Sequence, residues 1–239
     1  MDISVVMPVF QNKDITVQAV ENLLQAEIEL IVIDNASTDG TLQYLAQMPV
    51  TVIHNPVNLG VFPAVSQGFK LATRNHIAFV CNDMVTHPGN WSRAIEVLQG
   101  DVYCVTTKFT HLEMPLNWWE LAEKELAEPT THKIIGPPMP PHPPEDQMMG
   151  GWFVMSRRGW DILGDFDPDL PDWYGDSDLW CRFREMGHPV VQMNTLIHHY
   201  ESLTTGRVEG IVTTNSFQAQ EVFESKWGRV QSVIDEYQG

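Results

Sequence analysis

Apolar residues in this chain come as short continuous runs separated by stretches with helical spacing. Ile3–Pro8 is a β-branched run stopped by proline, and Leu30–Asp34, Val50–Ile53, Ile77–Val80, Val102–Thr106, Gly151–Met155 and Val190–Met193 are further runs of strand length. Unbroken apolar runs bounded by turn residues predict strands buried on both faces of a sheet. Between them lie helical patterns. The first follows a cap at Asn12 or Asp14 and places Val17, Val20 and Leu24 on one face; a short one carries Leu42 and Leu45; a third opens at Asn58-Leu59-Gly60 and runs to about Thr73. Asn90–Gln99 puts Trp91, Ala94, Ile95 and Leu98 at core spacing, Arg157–Leu163 reads as helical, and a helix starting near Asp176 turns Leu179, Phe183 and Met186 inward. Strand alternating with helix, with right-handed crossovers, predicts an α/β fold. Its centre is a Rossmann-like, mostly parallel sheet flanked by helices.

The alternation breaks between Lys108 and Gly151. Trp118-Trp119 sits on a short charged helix, and Pro129–Pro144 contains seven prolines. A connection of this length is either a solvated insertion or a lid over a binding site.

Several strand runs end in a carboxylate. Asp34 closes one, and Asp83 follows Ile77–Val80 through Cys81-Asn82. Ligands of open α/β sheets bind outside the carboxyl ends of the strands, so Asp83 either faces a ligand or caps the turn before Pro88. Asp176 and Asp178 stand at a helix start, where the helix dipole favours acidic residues and accounts for one of them. His198-His199 adds two adjacent imidazoles, a modest metal-ligand signal.

Composition narrows the class. The 239 residues are long enough for one large α/β domain. Fourteen basic and 31 acidic residues give a net charge of −17, which disfavours nucleic acid or an anionic membrane as a broad-surface partner. Cys81, Cys104 and Cys181 form no CxxC pair, so neither a disulfide framework nor a zinc cluster is expected, and a cytoplasmic protein fits. Neither a signal peptide nor an apolar run of membrane-spanning length is expected.

Taken in order, Ile3–Phe10, Ile33-Asp34-Asn35-Ala36-Ser37-Thr38-Asp39-Gly40-Thr41, Asn58-Leu59-Gly60, Cys81-Asn82-Asp83, Gly150-Gly151, Gly164-Asp165-Phe166-Asp167, Tyr174–Leu179 and His198-His199 resemble a family 2 glycosyltransferase of the GT-A fold. The resemblance covers residues 1 to about 205. It is strongest to a branch with rhamnosyl- and galactofuranosyltransferase-like members, and Phe223–Gly228 is similar to a tail of that branch.

The resemblance implies one GT-A domain over residues 1–239: a nucleotide-sugar half (1–106), an acceptor and catalytic half (107–205) and a helical tail (206–239). A nucleotide-diphosphate sugar, of UDP type, would lie across the strand ends with its base near Pro8, Phe10, Asp34 and Asn35. Asn58, Gly60, Asn82, Gly151, Trp152, Trp173, Tyr174 and Asp178 would complete the substrate site, the aromatic pair as a platform for sugar. Asp83 matches the last carboxylate of the family's metal-binding DxD motif, whose first Asp is Cys81 here, so Mn²⁺ or Mg²⁺ would rest on Asp83 with His198 or His199. Asp176 matches the general base, although the Glu usually before it is Gly175. The implied reaction is inverting transfer to a glycan or other hydroxyl acceptor. The two departures favour, as an alternative, a non-catalytic binder of sugar nucleotides or glycans. A nucleotidyltransferase is disfavoured because no Gly-rich phosphate loop followed by Lys is present.

Overall fold

The computed structural model of the chain describes residues 1–100, 102–110, 118–134, 151–188, 190–200 and 216–229. Its first part alternates as the apolar runs require: β1 (Ile3–Val9), α1 (Lys13–Leu23), β2 (Glu29–Asp34), α2 (Thr41–Leu45), β3 (Thr51–His54), α3 (Val61–Leu71) and β4 (His76–Val80). A two-residue β5 (Met84–Val85) and α4 (Pro88–Val97) follow. Then come β6 (Cys104–Thr110), α5 (Trp118–Ala127), β7 (His132–Ile134), β8 (Trp152–Ser156), α6 (Arg157–Leu163), α7 (Gly175–Glu185), β9 (Val191–His199) and α8 (Ser216–Trp227). These strands form one sheet in the order β3-β2-β1-β4-β8-β6-β9-β5, with β7 paired to β9 off this path.

β3, β2, β1 and β4 are parallel, as strands joined by helical crossovers must be. Beyond β4 the sheet is mixed: β8 is antiparallel to both β4 and β6, β6 and β9 are parallel, and β5 and β7 run antiparallel to β9. From β1 the chain builds outward to β2 and β3, then returns past β1 to lay β4 on its other side. That reversal leaves a crevice at the carboxyl ends of β1 and β4. The β1–β4 ladder stops at Val6 and Phe79, whereas β1 and β2 stay paired to Val9 and Asp34. Pro8, with no N–H to donate, therefore sits where β4 no longer requires one.

Each face of the sheet is covered. One packs Val5, Met7 and Ala78 against Ala19, Val20 and Leu23 of α1 and Trp91 of α4. The other packs Val6, Ile31 and Phe79 against Phe62 and Phe69 of α3, Trp160 of α6 and Leu179 and Phe183 of α7. A Cβ on Gly68 would come within 2.3 Å of Val6 Cγ1, so α3 lies closer to the sheet than any side chain there allows.

Several expected details differ. The buried stripe of α1 is Ile15, Thr16, Ala19, Val20 and Leu23, one position off the expected Val17–Val20–Leu24 face. Asn12 takes the N-cap position in a left-handed conformation without a side-chain cap bond; Asp39 Oδ2 accepts from Lys13 N instead (2.8 Å). Met186 is 37% exposed at the end of α7. The proline-rich insertion begins as sheet: β7 pairs with β9, and Asn194 fastens Pro129 and Thr131 to it. Residues 135–150 of the expected lid lie outside the described residues. No helix among the described residues is long and apolar enough to cross a membrane.

Candidate active site

The crevice is built from three strand ends. Pro8 and Phe10 leave β1 half-buried. Cys81, Asn82 and Asp83 leave β4, and Cys81 N donates to Gly151 O (2.8 Å), which draws the start of β8 against this turn. β9 then brings in its last residue: Met84 pairs with His199, and Tyr200 N donates to Asp83 O (2.9 Å). His199 Nε2 lies 3.4 Å from Asp83 Oδ1, and both side chains are 9% exposed. Strand alternation turns His198 to the opposite face, where its ring stands edge-on to Tyr200 at 4.5 Å. The structure thus parts the two histidines, and of the pair it is His199 that meets Asp83.

Asp176 enters from the first turn of α7. Its Oδ1 accepts from Ser177 N (2.8 Å), yet burial outweighs such bonds and raises the carboxyl to about 6. The Cys81 thiol registers the same surroundings: burial first, then the negative charges of Asp83 and Asp176, push it well above its ordinary range. Cys81 is therefore a neutral thiol that feels the charge of two carboxylates. A carboxyl poised near neutrality beside a second, histidine-contacted carboxylate is the arrangement expected of a proton acceptor next to a cation or phosphate site.

A divalent cation fits this donor set in one specific way. Among the described residues no group of three or more His, Cys, Asp or Glu could hold a metal. Asp83 and His199 offer one oxygen and one nitrogen, and the thiol stays protonated. Two protein ligands suit a cation that takes its remaining positions from diphosphate oxygens and water.

The other expected contact residues all have partners within the scaffold. Asp34 is fully buried: Oδ1 accepts from Ser37 N (3.1 Å) and Oδ2 meets His54 Nδ1 (2.8 Å), whose side chain remains 43% exposed. Asn35 is buried too, donating to Gly60 O (3.0 Å) and accepting from Asn55 (2.8 Å), so it joins two loops. Asn82 is buried and donates to Thr16 Oγ1 on α1 (3.2 Å). Asn58 Oδ1 accepts from Gly60 N (3.0 Å) and shapes that turn. Gly60 (φ 91°) has no room for a side chain, since its Cβ would meet Pro171 at 2.8 Å. Gly151 lets β8 pass Cys81 and Met84; a Cβ there would lie 2.2 Å from Met84 Cε. Trp152 is core, fully buried against Trp91 at 5.1 Å. Tyr174 packs on Phe223 at 5.1 Å, and the half-buried Trp173 lies against the same cluster. Asp178 is fully buried and binds Arg182, Lys226 and Trp227.

Two residues of the site escaped sequence reasoning. His54 could have been found from its place at the carboxyl end of β3, in register with Asp34. Asp172 accepts from Val61 N (3.1 Å) and Pro171 O from Phe62 N (2.9 Å), so a loop of the second half caps α3 at the crevice. That contact spans 111 residues, and no local signal announces it.

Gly175 also explains itself. A Cβ there would lie 2.4 Å from Phe62 Cδ2, so the Phe62 ring occupies the space a glutamate would need.

Residues 4–155 match the sequence profile of glycosyl transferase family 2. No curated protein matches the chain significantly. Among solved structures, the chain is similar to a mannosyltransferase from Pyrobaculum calidifontis in complex with GDP-Man and Mn²⁺, at 16% identity and a TM-score of 0.63. That likeness covers 83% of this chain and 56% of the mannosyltransferase, so the chain spans little more than half of that protein. It is likewise similar to glucosyl-3-phosphoglycerate synthase from Mycobacterium tuberculosis in complex with phosphoglyceric acid, at 19% identity and a TM-score of 0.63, over 95% of this chain and 80% of the other. At such identities the likeness speaks to fold, and the shared fold is GT-A.

Proposed function

The chain belongs to glycosyl transferase family 2, and from that premise we propose that it moves a sugar from a nucleoside-diphosphate donor to an acceptor hydroxyl, with inversion, in the crevice between β1 and β4. The observation that carries this reading is Asp176, a carboxyl raised to about 6 by burial and close enough to Cys81 for its charge to be felt beside Asp83. Asp176 takes the proton of the acceptor hydroxyl as that oxygen bonds the anomeric carbon and the bond from that carbon to the diphosphate oxygen breaks. One base, without a second carboxylate matched to a nucleophile's role, supports a single displacement and hence inversion.

Asp83 and His199 would hold Mn²⁺ or Mg²⁺ on the diphosphate. When bound, the cation supplies Lewis-acid stabilisation of the leaving group. Pro8 and Phe10 would line the place of the base. The donor half is 1–106 and the acceptor half 107–205; in the tail, 206–239, α8 braces the second. A UDP-sugar is the first donor to test; GDP-Man, bound by one structural neighbour, is the second. Three cysteines, all free, support a cytoplasmic setting.

The departures at Cys81 and Gly175 favour a second reading, a binder that does not turn over. A thermal-shift panel of nucleotide sugars with and without Mn²⁺, followed by an assay of nucleoside diphosphate release, separates the two. A ligand at one hundred times its Kd stabilises by about 2.7 kcal/mol, roughly 5–10 °C for a chain of this size. Stabilisation with release supports transfer, stabilisation without release supports the binder, and no stabilisation by any donor overturns both.

A further inference from the structure

The last helix grips the turn that carries Asp176 from both sides. Ahead of Asp176, the Tyr174 ring packs on Phe223 of α8 in a small core shared with Leu170, Cys181 and Ala219. Behind it, Asp178 Oδ1 accepts from Lys226 Nζ (2.5 Å) and Trp227 Nε1 (2.9 Å), while Oδ2 accepts from Arg182 Nε (2.9 Å). Lys226 also reaches Asp167 Oδ2 (3.1 Å), and its ammonium lies 5.5 Å from the Trp227 ring.

These bonds differ in what they can fix. Arg182 belongs to α7 itself, one turn along, and ties the helix to Leu163 O of α6 (2.9 Å). Lys226 and Trp227 come from 48 and 49 residues further along the chain, so their bonds set where the first turn of α7 stands in space. The body of α7 is already held to the sheet by Leu179, Trp180 and Phe183. What α8 adds is control of the first turn, through charge-assisted bonds to a buried carboxylate, which are among the strongest side-chain bonds in proteins.

We infer that Lys226 and Trp227 are positioning residues for transfer: acting through Asp178, they hold the start of α7 so that the Asp176 carboxylate meets the acceptor hydroxyl. The inference rests on Asp176 being the base. A displacement of about 1 Å at a reacting group can lower a rate roughly 10²-fold, and Asp176 lies two residues from the fastening.

The test compares full-length Lys226→Met, Lys226→Arg, Trp227→Phe and Asp176→Asn with wild type. Three quantities are measured: melting temperature, affinity for UDP and GDP with Mn²⁺ by calorimetry, and turnover well below the lowest melting temperature. Turnover uses whichever of UDP-glucose, UDP-galactose, dTDP-rhamnose and GDP-mannose the wild type consumes fastest. Lys226→Met and Trp227→Phe are expected to lower kcat roughly 10- to 100-fold with nucleotide affinity unchanged, and Lys226→Arg to recover most of the loss. Should Lys226→Met fail to fold, Trp227→Phe carries the test, because it removes one bond and keeps an aromatic ring. Wild-type kcat in the folded variants, or a loss that nucleotide affinity shares and Arg does not rescue, overturns the positioning role. Wild-type turnover in Asp176→Asn overturns the base and this inference together; an inactive Asp176→Asn beside active Lys226 and Trp227 variants overturns this inference alone.

Discussion

Replacing Asp176 by Asn removes a charge and keeps the shape, and the structure assigns it two opposite consequences. The first is thermodynamic. A carboxyl that ionises near 6 in the fold and near 3.9 in the unfolded chain opposes folding at neutral pH by up to about 3 kcal/mol. Partial exposure of Asp176 reduces this to about 2 kcal/mol. The sign follows from where the proton sits. Below about pH 4 the group is protonated in both states and contributes nothing. As pH rises toward 6 the unfolded chain ionises while the fold retains its proton, so stability falls, and above 6 the loss is complete. Asp176→Asn should therefore melt higher than wild type at pH 7.5, by roughly 4–8 °C, and equal to it at pH 4. The second consequence is kinetic. A base works as its carboxylate, so wild-type kcat/KM should climb through about 6 to a plateau, whereas Asp176→Asn should lose at least ~10²-fold. Calorimetry in EDTA at both pH values checks the first part, and donor turnover across pH checks the second. A variant that melts no higher than wild type at pH 7.5, or gains as much at pH 4, refutes the argument from burial.

Asp83→Asn should abolish the Mn²⁺-dependent increment of UDP or GDP binding while leaving the fold intact; calorimetry with and without Mn²⁺ reads this, and equal affinity in all four combinations removes the cation from Asp83. Cys81→Asp adds a second carboxylate beside Asp83, so it should bind Mn²⁺ more tightly than wild type without nucleotide, by about tenfold or more on the order of one charge-assisted contact. Titration of free Mn²⁺ by electron paramagnetic resonance measures that gain, and unchanged affinity places residue 81 outside reach of the cation.

The long buried strands were legible in the sequence because a strand covered on both faces leaves a continuous apolar run, as in β1, β2, β4 and β8. β5 and β7 left no such trace. They are two and three residues long and exist by pairing with β9, and strand propensity is mostly such context. In the candidate site, a carboxylate at a strand end or helix start is visible from its order in the chain, as Asp83 and Asp176 are. Side-chain direction cannot. Trp152, Tyr174, Asn35, Asn82 and Asp178 belong to the same motifs, yet all five face inward. Motif membership records where a residue stands along the chain, while burial records which way it points. Contacts such as Val61 to Asp172, or Asp178 to Lys226, join residues far apart in the chain and exist only once those parts are folded.

The two departures from the family pattern take on a common sense in this geometry. A carboxylate at position 81 would feel the charge of Asp83 and Asp176, and three neighbouring negative charges resist one another's ionisation. The neutral Cys81 thiol leaves Asp176 with burial as the cause raising it, and burial, offset in part by the bonds from Ser177 and its own backbone, brings it to about 6. A base in that range is ionised at neutral pH and still basic enough to take a proton. At the other end, Gly175 gives up a second acidic side chain before Asp176, and Phe62 fills the space. That ring belongs to the first turn of α3, the turn Asp172 and Pro171 cap. Phe62 therefore packs α3 against the start of α7. Both departures remove negative charge near Asp176, and the second adds an apolar joint between α3 and α7. Residues that merely decayed from a catalytic pattern have no reason to leave one poised carboxylate behind. A site built around a single base would keep that carboxylate and lose its neighbours.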